Sequence, residues 1–433
     1  MAGLKQAPRP AVTALNAALA AAVLLLGACG RAPSQPEVLH FWAVGVEAEA
    51  LSHILPEFER THPDVRVEVQ QLAWPAAHEK LLTAVAGDAT PDVCQLGNTW
   101  IPELVALHAL EPLQARVSGS ALIAPDDYFS GVWQPNMVEG ELYGVPWYVD
   151  TRLLFYRSDL LRAAGFTAPP ANWREWLRQM QAIKRLGGQD RYAALLPLNQ
   201  FEPLLVLALE QPESMLRDGN RYGNFRSRSF RRTLAFYHSL FEQSLAPALT
   251  EAQVSNVWNE FGRGYYSFYV SGPWNIAQFK RRLPPALQSS WMTAPMPGPE
   301  GPGVSSAGGS SLVIFNRSRH KASAFALIEY LSQPRVQQHL HDLTGDLPPR
   351  RTSWQSGAIA EDPYSQAFRT QLERLRAVPQ LPEWEQIMQA MRTMGERVVH
   401  GEQSEEDAVV QLDAEVDAML AKRRWMLSRQ AAT

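Results

Sequence analysis

The residues best able to do chemistry in this chain are aromatics and carboxylates set beside glycine and proline. Gly144-Val145-Pro146-Trp147-Tyr148-Val149-Asp150 places two neighbouring aromatics and an acid just after a turn. A ring face complements the apolar C–H side of a pyranose, and a carboxylate accepts from its hydroxyls. At i and i+2 of an extended run, Tyr148 and Asp150 point the same way, whereas Trp147 alternates away. Trp258, in Val257-Trp258-Asn259, and Trp274, in Ser271-Gly272-Pro273-Trp274-Asn275, are stacking candidates of the same kind. Glu47, Asn98 and Arg350 are the polar candidates. Bidentate, charge-assisted bonds to adjacent hydroxyls contribute more than neutral ones. From residues alone the alternatives stand beside these roles: core packing for each aromatic, helix capping for Glu47, and a structural acid for Asp150.

The elements that must position these groups begin with a strand over 38–42. Leu51, Ile54, Leu55 and Phe58 follow at one-face helical spacing, with Pro56 expected to kink that helix or shift its start. Val65, Val67 and Val69 alternate with polar residues as a half-buried strand, and a helix over 78–86, a strand over 91–96 and a helix from Trp100 complete the run. Strand, helix, strand, helix, strand is a parallel α/β layout, and its ligands sit beyond the carboxyl ends of the strands. Those ends are Glu47, residues 71–74 and residues 97–100. Further on, Trp173, Trp176, Leu177 and Met180 form one helical face, 291–297 and 308–315 read as strands, and Ser404 is an N-cap with Asp407 three residues on.

At 433 residues the chain exceeds one ordinary core, so two lobes are expected. A net charge of −4 offers no basic field for nucleic acid. Lys5, Arg9 and the short apolar run 18–26 end in Leu26-Gly27-Ala28-Cys29, which resembles a bacterial lipobox with cleavage before a diacylated Cys29. Cys94 is then the lone remaining cysteine, which excludes an intramolecular disulfide and fits inert packing. No H-E-x-x-H, G-x-S-x-G or phosphate loop occurs, and His78-Glu79 lacks a second metal-binding histidine. Glu47 with Asp150 imitates a glycosidase pair, the one enzyme-like arrangement present.

In order, the chain carries Glu47, Phe58-Glu59-Arg60-Thr61-His62-Pro63, Pro91-Asp92-Val93, Tyr143-Gly144-Val145-Pro146, Asp150-Thr151 and Tyr156 before Asp159-Leu160. Later come Ser271-Gly272-Pro273-Trp274, Gly308-Gly309 and Leu347-Pro348-Pro349-Arg350-Arg351. This succession resembles the family of extracellular solute-binding proteins serving ABC importers of sugars, and is most similar to its maltose- and trehalose-binding branch. The resemblance implies an α/β, two-lobe periplasmic-binding-protein-like fold (type II, Venus-flytrap) with hinge crossings near 149, 287 and 316. It implies a lipoprotein signal peptide over 1–28, a tether over 29–37, an N-lobe of 38–148 plus 287–316, and a C-lobe of 149–286 plus 317–433. The ligand-binding set is Glu47, Asn98, Trp147, Tyr148, Asp150, Trp258, Trp274, Gly308, Gly309 and Arg350, with no catalytic residue, cofactor or metal. The implied partners are a small sugar, the permease subunits of an ABC importer, and a bacterial membrane reached through Cys29, with the protein periplasmic and monomeric. Two departures stand out: Gly97-Asn98-Thr99 lacks an acid that relatives often carry there, and Ser310 stands where they place a tryptophan.

Overall fold

The computed structural model describes Gly3, residues 36–254 and residues 256–430. The expected signal peptide (apart from Gly3), Cys29 and residues 30–35 of the tether therefore lie outside the described residues.

Strand β1 (Glu37–Val44) turns Leu39, Phe41 and Ala43 into the core. Helix α1 (Glu47–Thr61) buries the face read from its spacing, Leu51, Ile54, Leu55 and Phe58. Pro56 neither starts nor ends α1; it falls on the exposed side, so no buried carbonyl depends on the N–H it lacks. There follow β2 (Val65–Leu72), α2 (Trp74–Ala86), whose Pro75 occupies the first turn, and the wholly buried β3 (Val93–Gly97). The middle of the chain supplies β4 (Val145–Asp150), β5 (Leu153–Arg157), α3 (Trp173–Gly187), β6 (Ala194–Leu195), α4 (Arg228–Glu242), β7 (Phe268–Ser271) and α5 (Trp274–Arg282). Then come β8 (Trp291–Ala294), β9 (Gly308–Ile314), α6 (Lys321–Leu331), α7 (Pro334–Thr344), α8 (Trp384–Val399), α9 (Glu405–Met419) and α10 (Ala421–Gln430). Ser404 caps α9 by accepting from the Asp407 N–H at 3.1 Å, as its sequence pattern indicates.

Two sheets organise two lobes. The first has the order β2-β1-β3-β9-β4, with β1 parallel to β2 and β3, and β9 antiparallel to β3 and β4. Between β9 and β4 the register slips: Ser310 faces Tyr148 but Ser311 faces Pro146, leaving Trp147 as the extra residue of a bulge. The second sheet has the order β8-β5-β7-β6, with β5 antiparallel to both its neighbours.

These pairings correct the expected lobe boundaries. Trp291–Ala294 lies against β5, and Trp291 stacks on Tyr364 with ring centres 3.9 Å apart, so β8 belongs to the second lobe. The second crossing falls between Ala294 and Gly308 rather than near 287. Helices α6 and α7 bury Leu327, Ile328, Leu331 and Leu340 in the core of β1 and α1, and the Tyr330 hydroxyl donates to the Ile54 carbonyl at 3.1 Å. Residues 317–344 are thus first-lobe, and the third crossing follows Thr344 instead of lying near 316. A helix's apolar face fits either lobe equally well, so periodicity could not choose between them. The first crossing lies between Asp150 and Leu153, two residues beyond the expected boundary, because Val149 and Asp150 still pair with β9.

Candidate functional site

A cleft of about 860 Å³ opens where the ends of β1 and β4, the starts of α1, α2 and α5, and the segment after α7 converge. Its first-lobe wall carries Glu47, Trp74, Tyr148 and Asp150, its second-lobe wall carries Trp274, and Gly345 and Asp346 close one end. That volume suits a ligand of a few rings.

Glu47 is the first residue of α1, where the free N–H groups of the first turn favour a carboxylate. It is nevertheless 4% exposed, and its Oε2 lacks a hydrogen-bond partner. Burial pushes its carboxyl above the ordinary range, against lowering by its own backbone N–H, Asp346 and Tyr148. Asp346 is held well above the usual carboxylate range, first by burial and then by the charge of Glu47 beside it. Two acids in so dry a place oppose each other's ionisation, and burial adds to that effect at both. Gly45, at φ +69°, makes room for this arrangement: a Cβ there would lie 2.8 Å from Glu47 Oε2 and 2.9 Å from Trp74 Nε1.

Tyr148 is fixed from behind. Its hydroxyl accepts from Ser310 Oγ at 3.0 Å and from Gln95 Nε2 at 3.2 Å, both buried. Ser310, the departure noted in the sequence, is therefore 1% exposed and acts on Tyr148 rather than on a ligand. Asp150 pairs with Arg152, whose second guanidinium nitrogen pairs with Glu202. Burial raises the Asp150 carboxyl, and Arg152 opposes that rise. Arg152 also stacks on the Trp274 ring at 4.7 Å. The ring itself occupies space that only a glycine at 272 leaves open, since a Cβ there would come within 2.7 Å of Trp274 Cε3 and nearer to two other ring carbons.

The remaining expected residues take other places. Trp147 is 1% exposed and packs beside Phe41 with ring centres 6.0 Å apart, so it is core and not a stacking face. Arg350 is consumed by Asp127 (2.7 Å) and by the carbonyls of Leu122 (2.9 Å) and Ser332 (2.8 Å); it clamps the third crossing and does not line the cleft. Asn98 donates to the Ala307 carbonyl at 2.8 Å and is a chain tie outside the lining. Trp258 donates to Asn275 Oδ1 at 2.7 Å, with Arg282 stacked 4.2 Å from its ring, also outside the lining. Gly308 and Gly309 pair with Asp150 and Val149, and Cβ atoms on them would meet the Asp150 carbonyl at 2.7 Å and Val149 Cα at 2.9 Å. They let β9 approach β4.

Sequence reasoning missed Asp346 and Arg152, and placed Trp74 within a ligand-bearing strand end without counting it in the ligand set. Trp74 had a usable signal, since it ends the segment after β2, at the carboxyl edge of the parallel strands. Arg152 and Asp346 gave none, because a charged residue in a connecting segment reads as solvated until the fold buries it. Thr99 Oγ1 donates to Glu385 on α8 at 2.5 Å, joining the two lobes directly.

Comparison with known proteins places this geometry. The family of bacterial extracellular solute-binding proteins matches residues 43–338. The solved structure of the sugar-binding protein MalE from the phytopathogen Xanthomonas citri is similar at 55% identity and a TM-score of 0.88, covering 90% of this chain and 99% of that one. The diacetylchitobiose binding protein DasA of Streptomyces coelicolor is 23% identical over 381 residues, 85% of this chain and 86% of that protein. A galactooligosaccharide-binding protein of Bacillus subtilis is 22% identical over 409 residues, 89% of this chain and 90% of its own length.

Proposed function

The chain belongs to the bacterial extracellular solute-binding proteins, and we propose that it captures a neutral oligosaccharide of the maltose, trehalose or maltooligosaccharide kind and hands it to the permease of an ABC importer. The observation that carries this reading is a cleft between two lobes with tryptophans on opposite walls and buried acids between them. Trp74 and Trp274 offer ring faces to pyranose C–H surfaces, while Glu47, Asp150 and Asp346 offer carboxyl groups to its hydroxyls. Sugar bound between the walls stabilises the closed arrangement because only there does it touch both lobes. A dissociation constant near the micromolar level, about −8 kcal/mol, is expected for so small a ligand.

In this reading the protein is a receptor and not an enzyme. The matching family and the relatives found by sequence and by structure are binding proteins, which supports that reading. The protein acts as a periplasmic monomer, tethered to a bacterial membrane through diacylated Cys29. The test is calorimetric titration with maltose, maltotriose, trehalose, diacetylchitobiose and a glycerol phosphodiester, with product analysis after long incubation. Saturable binding of a neutral glycan without turnover is the expected result. Turnover, preference for the phosphodiester, or silence to every sugar overturns the proposal.

A further inference from the structure

Helix α10 (Ala421–Gln430) carries Lys422, Arg423, Arg424 and Arg429 and no acidic residue, on a protein whose net charge is −4. Its two sides do different things. Arg424 faces the body, donating to the Arg221 carbonyl at 3.0 Å and stacking on Tyr222 at 4.6 Å, and Arg423 and Leu427 are half-buried with it. The opposite side presents Lys422, Trp425, Met426 and Arg429 at i, i+3, i+4 and i+7, all exposed. Trp425 is 56% and Met426 48% exposed, with the Arg429 guanidinium 4.2 Å from the Trp425 ring centre. Trp74 and Trp425 are the two exposed tryptophans among the described residues, and Trp74 belongs to the cleft. The exposed Arg221 lies beside Arg424 and extends the basic field. Of the nearby acids, Asp218 is neutralised by Arg217 at 3.0 Å, whereas Asp413 and Asp417 are half-buried on α9 and accept from the backbone N–H groups of Phe225 and Gly223 at 2.8 Å.

From this charge and exposure we infer that the outer face of α10 docks on an anionic phospholipid surface. Tryptophan and methionine flanked by cations suit the boundary between headgroups and acyl chains, where the ring enters the apolar layer and the cations stay among the phosphates. A folded binding protein tethered by one N-terminal lipid would thereby gain a second contact with the membrane. The inference does not depend on which ligand fills the cleft.

The experiment uses the polypeptide from Cys29 onwards, made without its lipid, and sediments it with two kinds of vesicle. Mixed phosphatidylglycerol–phosphatidylcholine vesicles should retain it, and phosphatidylcholine alone should not. Lys422→Ala and Arg429→Ala should each weaken retention roughly five-fold, Trp425→Ala should weaken it further, and added salt should release the protein. These exposed substitutions should leave the thermal midpoint unchanged, separating lost docking from lost folding. Absence of binding to the mixed vesicles, equal binding to both kinds, or wild-type retention of the variants overturns the inference. So does a variant that keeps its vesicle binding but loses stimulation of a reconstituted permease, which would assign the face to a protein partner.

Discussion

Gly272→Ala tests whether Trp274 is a ligand-facing ring held in place by its neighbour's lack of a side chain. The added Cβ would sit 2.7 Å from Trp274 Cε3, where ordinary contacts begin at 3.4 Å, so the ring must retreat by at least 0.7 Å, and by more at its two nearer carbons. The backbone at 272 is not among the positive-φ glycines, so the substitution acts through the ring and not through strain. Retreat pulls the indole from the Arg152 guanidinium, now 4.7 Å from its centre, and from the second-lobe wall of the cleft. Loss of one stacking contact amounts to about 1 kcal/mol, or roughly a five-fold rise in Kd. Deleting the ring outright in Trp274→Ala should cost about 2 kcal/mol, since burial is lost with the stack. A double-mutant cycle by calorimetry then isolates the mechanism, because the two changes act through one ring. In the Trp274→Ala background, Gly272→Ala should have no further effect. Wild-type affinity in Gly272→Ala would refute the reasoning, and so would an undiminished loss in the double variant.

Asp346→Asn addresses the raised Asp346 carboxyl. The fold holds Asp346 well above its ordinary range, so the unfolded chain releases this proton more readily. The resulting stability is present at low pH and lost as pH rises through the native range. The asparagine variant should therefore gain on the wild type as pH rises, read as thermal midpoints from about pH 4 to about pH 8; parallel curves would count against a raised Asp346 carboxyl. Arg350→Ala should lower stability by about 3 kcal/mol in denaturant titration, since it removes the cation beside Asp127 and the donor to the Leu122 and Ser332 carbonyls, while leaving sugar affinity intact. A lost affinity with unchanged stability would return Arg350 to the ligand set. Thr99→Val removes the donor to Glu385 that joins the lobes; affinity should fall about ten-fold, or about 1.4 kcal/mol, and an unchanged Kd would show that this bond does not report closure.

Periodicity carried much of the fold. The α1 face, the alternation of β2 and the cap of α9 all stand as their patterns indicate. Pairing partners were less legible, because hydrogen bonding between strands distant in sequence leaves no mark on either strand. Trp291–Ala294 looks the same whether it joins one sheet or the other. Among site residues, Tyr148 and Asp150 were legible from their i, i+2 phase beside a turn, and Trp274 from its glycine-proline entry. Arg350 misled because a guanidinium near the end of such a motif serves a clamp as readily as a ligand, and what decides is the set of carbonyls around it. Asp346, four residues earlier, was hidden by its nature as a small acid after a helix, which usually faces water.

The bulge at Trp147 has a consequence for how this stretch tolerates change. Because β9 steps from Ser310 to Ser311 while β4 steps from Tyr148 to Pro146, the phase of the aromatic–acid pair is set by one surplus residue. Pro146 cannot donate to a ladder, and the irregularity falls where that donor is missing. Upstream of it, the strand is timed to the first-lobe core; downstream, it is timed to the cleft. Removing the surplus residue would run the ladder straight from Pro146 to Tyr148 and take out the local bend, although every side chain named as ligand-facing would remain. Length, as much as identity, is what this strand must keep: its frame is counted in residues, as a reading frame is counted in bases.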